Sequence, residues 1–143
     1  MTAPSSETVY ASAVSLNAHA ILISGRPGSG KSDLALRLID RGAVLVSDDY
    51  TIVTRSEGQL LASPPETIRG RIEVRGIGLV AMPHETAVPV ALVIDIDEPV
   101  PRMPEPGITR LMADIDVPLF ALSAYEASAA IKVELLLKSM TTR

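Results

Sequence analysis

Residues 25–32 read Gly-Arg-Pro-Gly-Ser-Gly-Lys-Ser, a complete G-x-x-x-x-G-K-[ST] loop, and no other segment restricts the fold so tightly. An apolar run, Ala20-Ile21-Leu22-Ile23, leads into it, and Asp33-Leu34-Ala35-Leu36-Arg37-Leu38-Ile39 leads away with helical spacing. Strand, loop and helix in that order is the context the motif needs, and it points to an α/β fold. The residue types follow from anion chemistry. Gly25, Gly28 and Gly30 let the backbone curl until its N–H groups point inward. The helix that follows adds unpaired N–H groups and a positive dipole end. Lys31 brings a flexible point charge to the β- and γ-phosphates, and the Ser32 hydroxyl suits Mg²⁺. Arg26, Pro27 and Ser29 complete the nucleotide-binding segment, Pro27 at the loss of one N–H.

Composition narrows the remaining options. A chain of 143 residues is expected to form one domain, 1–143, with a core of useful size. The net charge of −4 argues against nonspecific nucleic-acid binding. With no cysteine, disulfides, thiolate metal sites and cysteine nucleophiles are excluded. The apolar stretches are strand-sized, so no membrane span is expected. Met1–Thr8 is short and polar and does not read as a signal peptide, which makes the cytoplasm the expected setting.

Along the chain, Thr8–Leu16 and Ala20–Ser24 read as strands around a turn at Asn17-Ala18-His19. Lys31–Arg41 reads as an amphipathic helix with Leu34, Leu38 and Ile39 inward and Gly42 as its stop. Ala43–Ser47 reads as a buried strand, followed by extended Tyr50–Thr54, a turn at Ser56-Glu57-Gly58 and a short strand at Leu60–Ala62. Thr67–Arg75 is mixed, and Gly76-Ile77-Gly78 marks tight backbone. Val88–Ile96 is the most apolar strand, Asp97–Gly107 holds four prolines and reads as a loop, and Ile115–Leu122 reads as a strand. Ala124–Lys138 reads as a closing helix with Ile131, Leu135 and Met140 on one face.

Phosphoryl transfer needs a metal-binding acid and, for a hydroxyl acceptor, a base. Two apolar runs end in acids: Ala43–Ser47 before Asp48-Asp49, and Val90–Ile94 before Asp95 and Asp97. The first follows the loop's own helix, so its strand is expected beside the loop strand. Its adjacent carboxylates can face different ways, because side chains alternate along a strand. Asp95 and Asp97 read better as turn acids before Pro99. Ile72-Glu73-Val74-Arg75-Gly76-Ile77-Gly78-Leu79-Val80 reads, alone, as a strand with a glycine kink. His19 and His84 fall in a turn and a loop and read as surface residues.

The loop, the pair in Leu45-Val46-Ser47-Asp48-Asp49 and the segment Ile72–Val80 together resemble the HPr kinase/phosphorylase family, in order and at similar spacing, from about residue 9 to the last helix. The chain is similar to that family's catalytic domain without its amino-terminal domain. The resemblance implies a P-loop catalytic domain with a mixed central sheet, of the phosphoenolpyruvate-carboxykinase-like type. It implies an ATP- and Mg²⁺-dependent serine kinase, with a phosphorolysis in many members, acting on a small HPr-like phosphocarrier protein of a phosphotransferase system. It also implies assembly into hexamers. By the family pattern Asp48 is the acid–base residue, Asp49 supports the site, Ser32 and Glu73 serve the metal, Arg75 lies in the signature, and Arg102 matches an arginine that closes on phosphate. The chain departs from the family where Tyr10 stands in place of a first-strand histidine, because a phenol is a poor proton acceptor at neutral pH. Two other readings stay open: a nucleotide-binding sensor without catalysis, and a small-metabolite kinase.

Overall fold

The computed structural model describes residues 5–141; Met1–Pro4, part of the polar amino-terminal stretch, and Thr142–Arg143 lie outside them. Eleven strands and two helices are present among these residues. In chain order they are β1 (Ser6–Val9), β2 (Ala11–Leu16), β3 (His19–Ser24), α1 (Lys31–Asp40), β4 (Val44–Ser47), β5 (Thr51–Ser56), β6 (Gln59–Ser63), β7 (Arg71–Val74), β8 (Gly78–Ala81), β9 (Val88–Asp95), β10 (Thr109–Met112), β11 (Ile115–Ala121) and α2 (Ala129–Thr141). A single 3₁₀ turn, Glu66–Ile68, follows the Pro64-Pro65 break.

The main sheet runs β1-β5-β6-β9-β3-β2-β4. It is mixed: β3 and β9 are parallel, as are β9 and β11, while β2 is antiparallel to both β3 and β4. The start of β9 meets β6 and its end meets β11 along the same edge. The β7–β8 hairpin forms a separate two-stranded sheet. No described helix is long and apolar enough to cross a membrane.

Both faces of the central strands are covered, which is why β3 and β9 read as continuous apolar runs. Ile21, Ile23, Leu92 and Ile94 pack with Leu34, Leu38, Val133 and Leu137 on the helix side. Ala20, Leu22 and Val93 pack on the other side with Val53, Leu60, Met112 and Val117 from the curled outer strands. Helix α1 ends as its sequence indicates: Gly42 has φ of 114°, its N–H reaches Ile39 C=O at 3.0 Å, and Ala43 N–H reaches Leu38 C=O at 3.0 Å.

Four sequence expectations need revision. The acid-bearing strand β4 is not beside the loop strand. The tight turn at Asn17-Ala18, both at positive φ, folds β2 back onto β3, so β2 takes that edge and β4 pairs with β2. The first strand is two strands, because the chain leaves β5 for β3 and β4 at Tyr10. Strand β10 was hidden among turn-forming neighbours. Finally, α2 starts at Ala129 and buries Ala129, Ala130, Val133 and Leu137, leaving Leu135 61% exposed and Ile131 exposed as well. The helix docks on two small alanines together with Val133 and Leu137, while Met140 packs against the core as expected. Residues 124–126 are instead held by Arg37, whose guanidinium donates to the carbonyls of Ala124 and Glu126.

Candidate active site

The loop between β3 and α1 has the conformation its glycines allow. Gly28 and Gly30 adopt φ of 78° and 105°, the left-handed region that side chains disfavour. Gly25 is required for space: an added Cβ would lie 2.5 Å from Ser29 Oγ and 2.7 Å from Ile96 Cγ1. The Ser29 N–H closes the turn on Arg26 C=O at 3.0 Å, and the first helical N–H with a partner behind it is that of Leu34, on Gly30 C=O. The N–H groups of Lys31, Ser32 and Asp33 therefore precede the helix's own ladder and suit an anion. The Ser29 hydroxyl is buried without a hydrogen-bond partner.

Lys31 is only 5% exposed. Its ammonium donates to Gly25 C=O at 2.7 Å and Arg26 C=O at 3.1 Å, sits 4.0 Å above the centre of the Tyr10 ring, and lies 4.0 Å from Asp49 Oδ1. Burial lowers its pKa, opposed by the carboxylates of Asp49, Asp97 and Asp48. Tyr10 in turn packs on Tyr50, ring centres 5.1 Å apart. Burial first, then the facing Asp49 carboxylate by charge and hydrogen bonding, raise its hydroxyl above the usual phenol range.

The two aspartates after β4 divide. Asp48 is buried and accepts three hydrogen bonds: Oδ1 accepts from Ser32 Oγ at 2.6 Å and Ser12 Oγ at 3.1 Å, and Oδ2 accepts the Glu73 N–H at 2.9 Å. Asp49 has φ of 71°, and its carboxylate is 51% exposed and faces the cleft. Its N–H donates to Ser12 Oγ at 3.0 Å, so one buried serine of β2 fastens both aspartates. Sequence reasoning missed Ser12; the available signal was a hydroxyl in an otherwise apolar strand.

These groups surround a cleft of about 580 Å³ lined by Tyr10, Gly28, Lys31, Ser32, Asp49, Glu73 and Arg75, among others. Arg26 and Ser29 belong to the loop behind it, and Pro27 lies on its rim. Glu73 brings its backbone to Asp48 and its exposed side chain to the cleft. Arg102 is not brought there; it lines a second cleft of about 650 Å³ between the 98–108 loop, β11 and α2. His19 and His84 are absent from the first cleft's lining.

The acids at the end of β9 do more than make a turn. Buried Asp95 accepts the N–H groups of Asp97 and Glu98 and pairs with Arg110 at 2.7 Å, while Arg110 also donates to Ser24. Asp97 then accepts the Arg26 N–H at 2.5 Å, anchoring the start of the loop. This chain of contacts spans 86 positions between Ser24 and Arg110 and leaves no local sequence trace.

Among the described residues no three acidic or histidine side chains converge into a metal cage. Mg²⁺ does not demand one, since it keeps waters and uses substrate phosphates. Its preference for oxygen fits Ser32, whose hydroxyl is oriented by Asp48, and the cleft-facing Glu73.

Comparison with known proteins agrees with this architecture. The family model described as "HPr Serine kinase C-terminal domain" matches residues 2–86. The chain is 36% identical over 118 residues to the HPr kinase/phosphorylase of Chloroherpeton thalassium, covering 73% of this chain and 35% of that protein. It is 38% identical over 118 residues to the protein of the same name from Xylella fastidiosa, covering 71% and 37% respectively. The chain thus spans about a third of the length of the curated relatives it matches. The structure of the "Hpr(Ser) kinase/phosphatase" from Coxiella burnetii superposes with a TM-score of 0.81 at 27% identity, covering 93% of this chain and 89% of that one. The α/β P-loop fold with a mixed central sheet is therefore shared with a solved kinase. The chain belongs to the HPr serine kinase C-terminal domain family.

Proposed function

We propose that this chain is the catalytic domain of a serine kinase that moves the γ-phosphoryl group of ATP to a serine hydroxyl on a small HPr-like phosphocarrier. The observation that carries the reading is the meeting of the loop and the acid pair: Ser32 donates to Asp48 at 2.6 Å while Asp49, the next residue, opens into the cleft beside Lys31. In this reading the loop N–H groups and Lys31 hold the polyphosphate. The Ser32 hydroxyl oxygen and Glu73 would hold Mg²⁺, which would supply neutralisation of the phosphate charge.

The family pattern makes Asp48 the acid–base residue; the hydrogen bonds around the pair favour a different division within this reading. Asp48 accepts from Ser12, Ser32 and the Glu73 N–H and is buried, so in this reading it orients the metal-side hydroxyl. Asp49 is the accessible carboxylate and takes the serine proton as the hydroxyl oxygen attacks phosphorus. In the reverse phosphorolysis, an oxygen of inorganic phosphate attacks the phosphoserine phosphorus, the bond from phosphorus to the serine oxygen breaks, Asp49 protonates that departing oxygen, and pyrophosphate is the product. Arg75 is the arginine on the cleft and meets phosphoryl charge; Arg102 would have to come round with its Pro-rich loop.

A protein acceptor fits the rim. Ile77 and Leu79 are exposed on the hairpin that carries Glu73 and Arg75, and exposed Tyr125 stands on the cleft. A homo-oligomer and a cytoplasmic setting belong to the same reading. The test is transfer of labelled γ-phosphoryl from ATP with Mg²⁺ to an HPr-like protein and to its Ser→Ala variant. Acid-stable label on the first alone supports the proposal. ATP binding with no transfer would favour the nucleotide sensor, and label on a free metabolite instead would favour the small-molecule kinase.

A further inference from the structure

We propose that Tyr10 is a positioning residue of this cleft: its ring face seats the Lys31 ammonium, which lies 4.0 Å from Asp49 Oδ1, so that the ring holds the loop lysine beside the acid. The proposal rests on nucleotide binding by the loop and not on the kinase reading above.

Tyr10 occupies the crossover where the chain leaves β5 for β3 and β4, so its backbone is fixed by pairing on both sides. Tyr50 braces its ring at 5.1 Å and a 45° tilt. The Lys31 ammonium sits 4.0 Å above the ring centre, within cation–π range, and its other partners are two carbonyls and Asp49 at 4.0 Å. A buried ammonium has little water to fall back on, so the ring face makes up part of its lost hydration. A π face works here without a charge of its own. A cationic side chain at this position would repel Lys31, and an aliphatic one would leave the ammonium unsupported. A phenol is neutral through the neutral range, and burial and Asp49 oppose its ionisation further, so the ring adds no charge to the cleft.

Two variants test the ring. Tyr10→Phe keeps it; Tyr10→Leu removes it. Binding is measured by calorimetry with ATP and Mg²⁺, with thermal melts as the folding control. Tyr10→Phe is expected to hold ATP within twofold of the parent. Tyr10→Leu is expected to weaken ATP binding by roughly three- to thirtyfold. Affinity restored by the ring alone is a result that a merely structural role would not give. Equal ATP affinity in Tyr10→Phe and Tyr10→Leu overturns the seating of Lys31. Should Tyr10→Leu fail to fold, Tyr10→Met makes the same comparison. Label transfer by the parent to the HPr-like protein is read separately: if the parent binds ATP and transfers nothing, the kinase reading falls and the ATP affinities still decide the role at Lys31.

Discussion

Replacing Asp48 and Asp49 in turn by asparagine should give very unequal losses of stability, although the residues are adjacent and the change is identical. Asp48 accepts three hydrogen bonds, at 2.6, 2.9 and 3.1 Å, in a buried site. An asparagine there keeps one acceptor oxygen. If that oxygen serves Ser12 and Ser32, its amide group faces the Glu73 N–H, donor against donor. One bond to a charged acceptor is lost, at about 1.5–3 kcal/mol, and a buried donor is left unpaired. The two costs overlap, and together they come to about 2–4 kcal/mol, or roughly 5–15 °C in Tm for a chain of this size. Asp49 is 51% exposed and has φ of 71°, a conformation asparagine tolerates better than most residues. Its replacement should stay within about 0.5 kcal/mol of the parent. Urea unfolding at neutral pH, followed by far-ultraviolet circular dichroism without nucleotide, reads both values from the midpoints at a shared m-value. Equal midpoints for the two variants would refute the division of labour between these acids.

Further outcomes test the loop and the cleft. Gly25→Ala would drive a methyl into Ser29 Oγ and Ile96; it should cost about 1–3 kcal/mol in unfolding experiments and weaken ATP binding in the same preparation. Arg110→Met removes one partner of the Asp95 pair, whose side chains are 34% and 7% exposed; a loss of about 2–4 kcal/mol is expected, with weaker ATP binding because Asp97 no longer anchors Arg26. Alkaline titration at the tyrosinate absorbance should show a component above the usual phenol range that Tyr10→Phe abolishes. The raised pKa means the folded state holds this proton more tightly, so its contribution to stability is complete below pH ~10 and is lost as pH rises through the folded value.

The local elements were legible in the sequence because their signals are local. The glycine loop, the Leu34–Leu38 spacing and the Gly42 stop need no distant partner to be read. What escaped reading depends on contacts made far along the chain. Whether β4 lies beside β3 is decided by the Asn17-Ala18 turn, which gives that edge to β2. The buried face of α2, Ala129, Ala130, Val133 and Leu137, is set by the side chains of β3, β9 and α1 that it meets, a property of those elements as much as of the helix. The acid pair was visible as a pair, but its inner division was not. Ser12, 36 residues before Asp48, and the Glu73 N–H, 25 residues after it, make one carboxylate a fixture and free the other. Arg102 matched by sequence context yet stands on another cleft, because the Pro-rich loop carries it past the end of β9.

The decisive measurement is the single-turnover rate of γ-phosphoryl transfer from ATP to the HPr-like protein by Asp49→Asn, alongside its ATP affinity. An accessible carboxylate that receives the serine proton requires a rate loss of about 10²–10⁴-fold with ATP affinity close to that of the parent. Transfer by Asp49→Asn at more than a tenth of the parental rate would contradict that role and return the proton to another group.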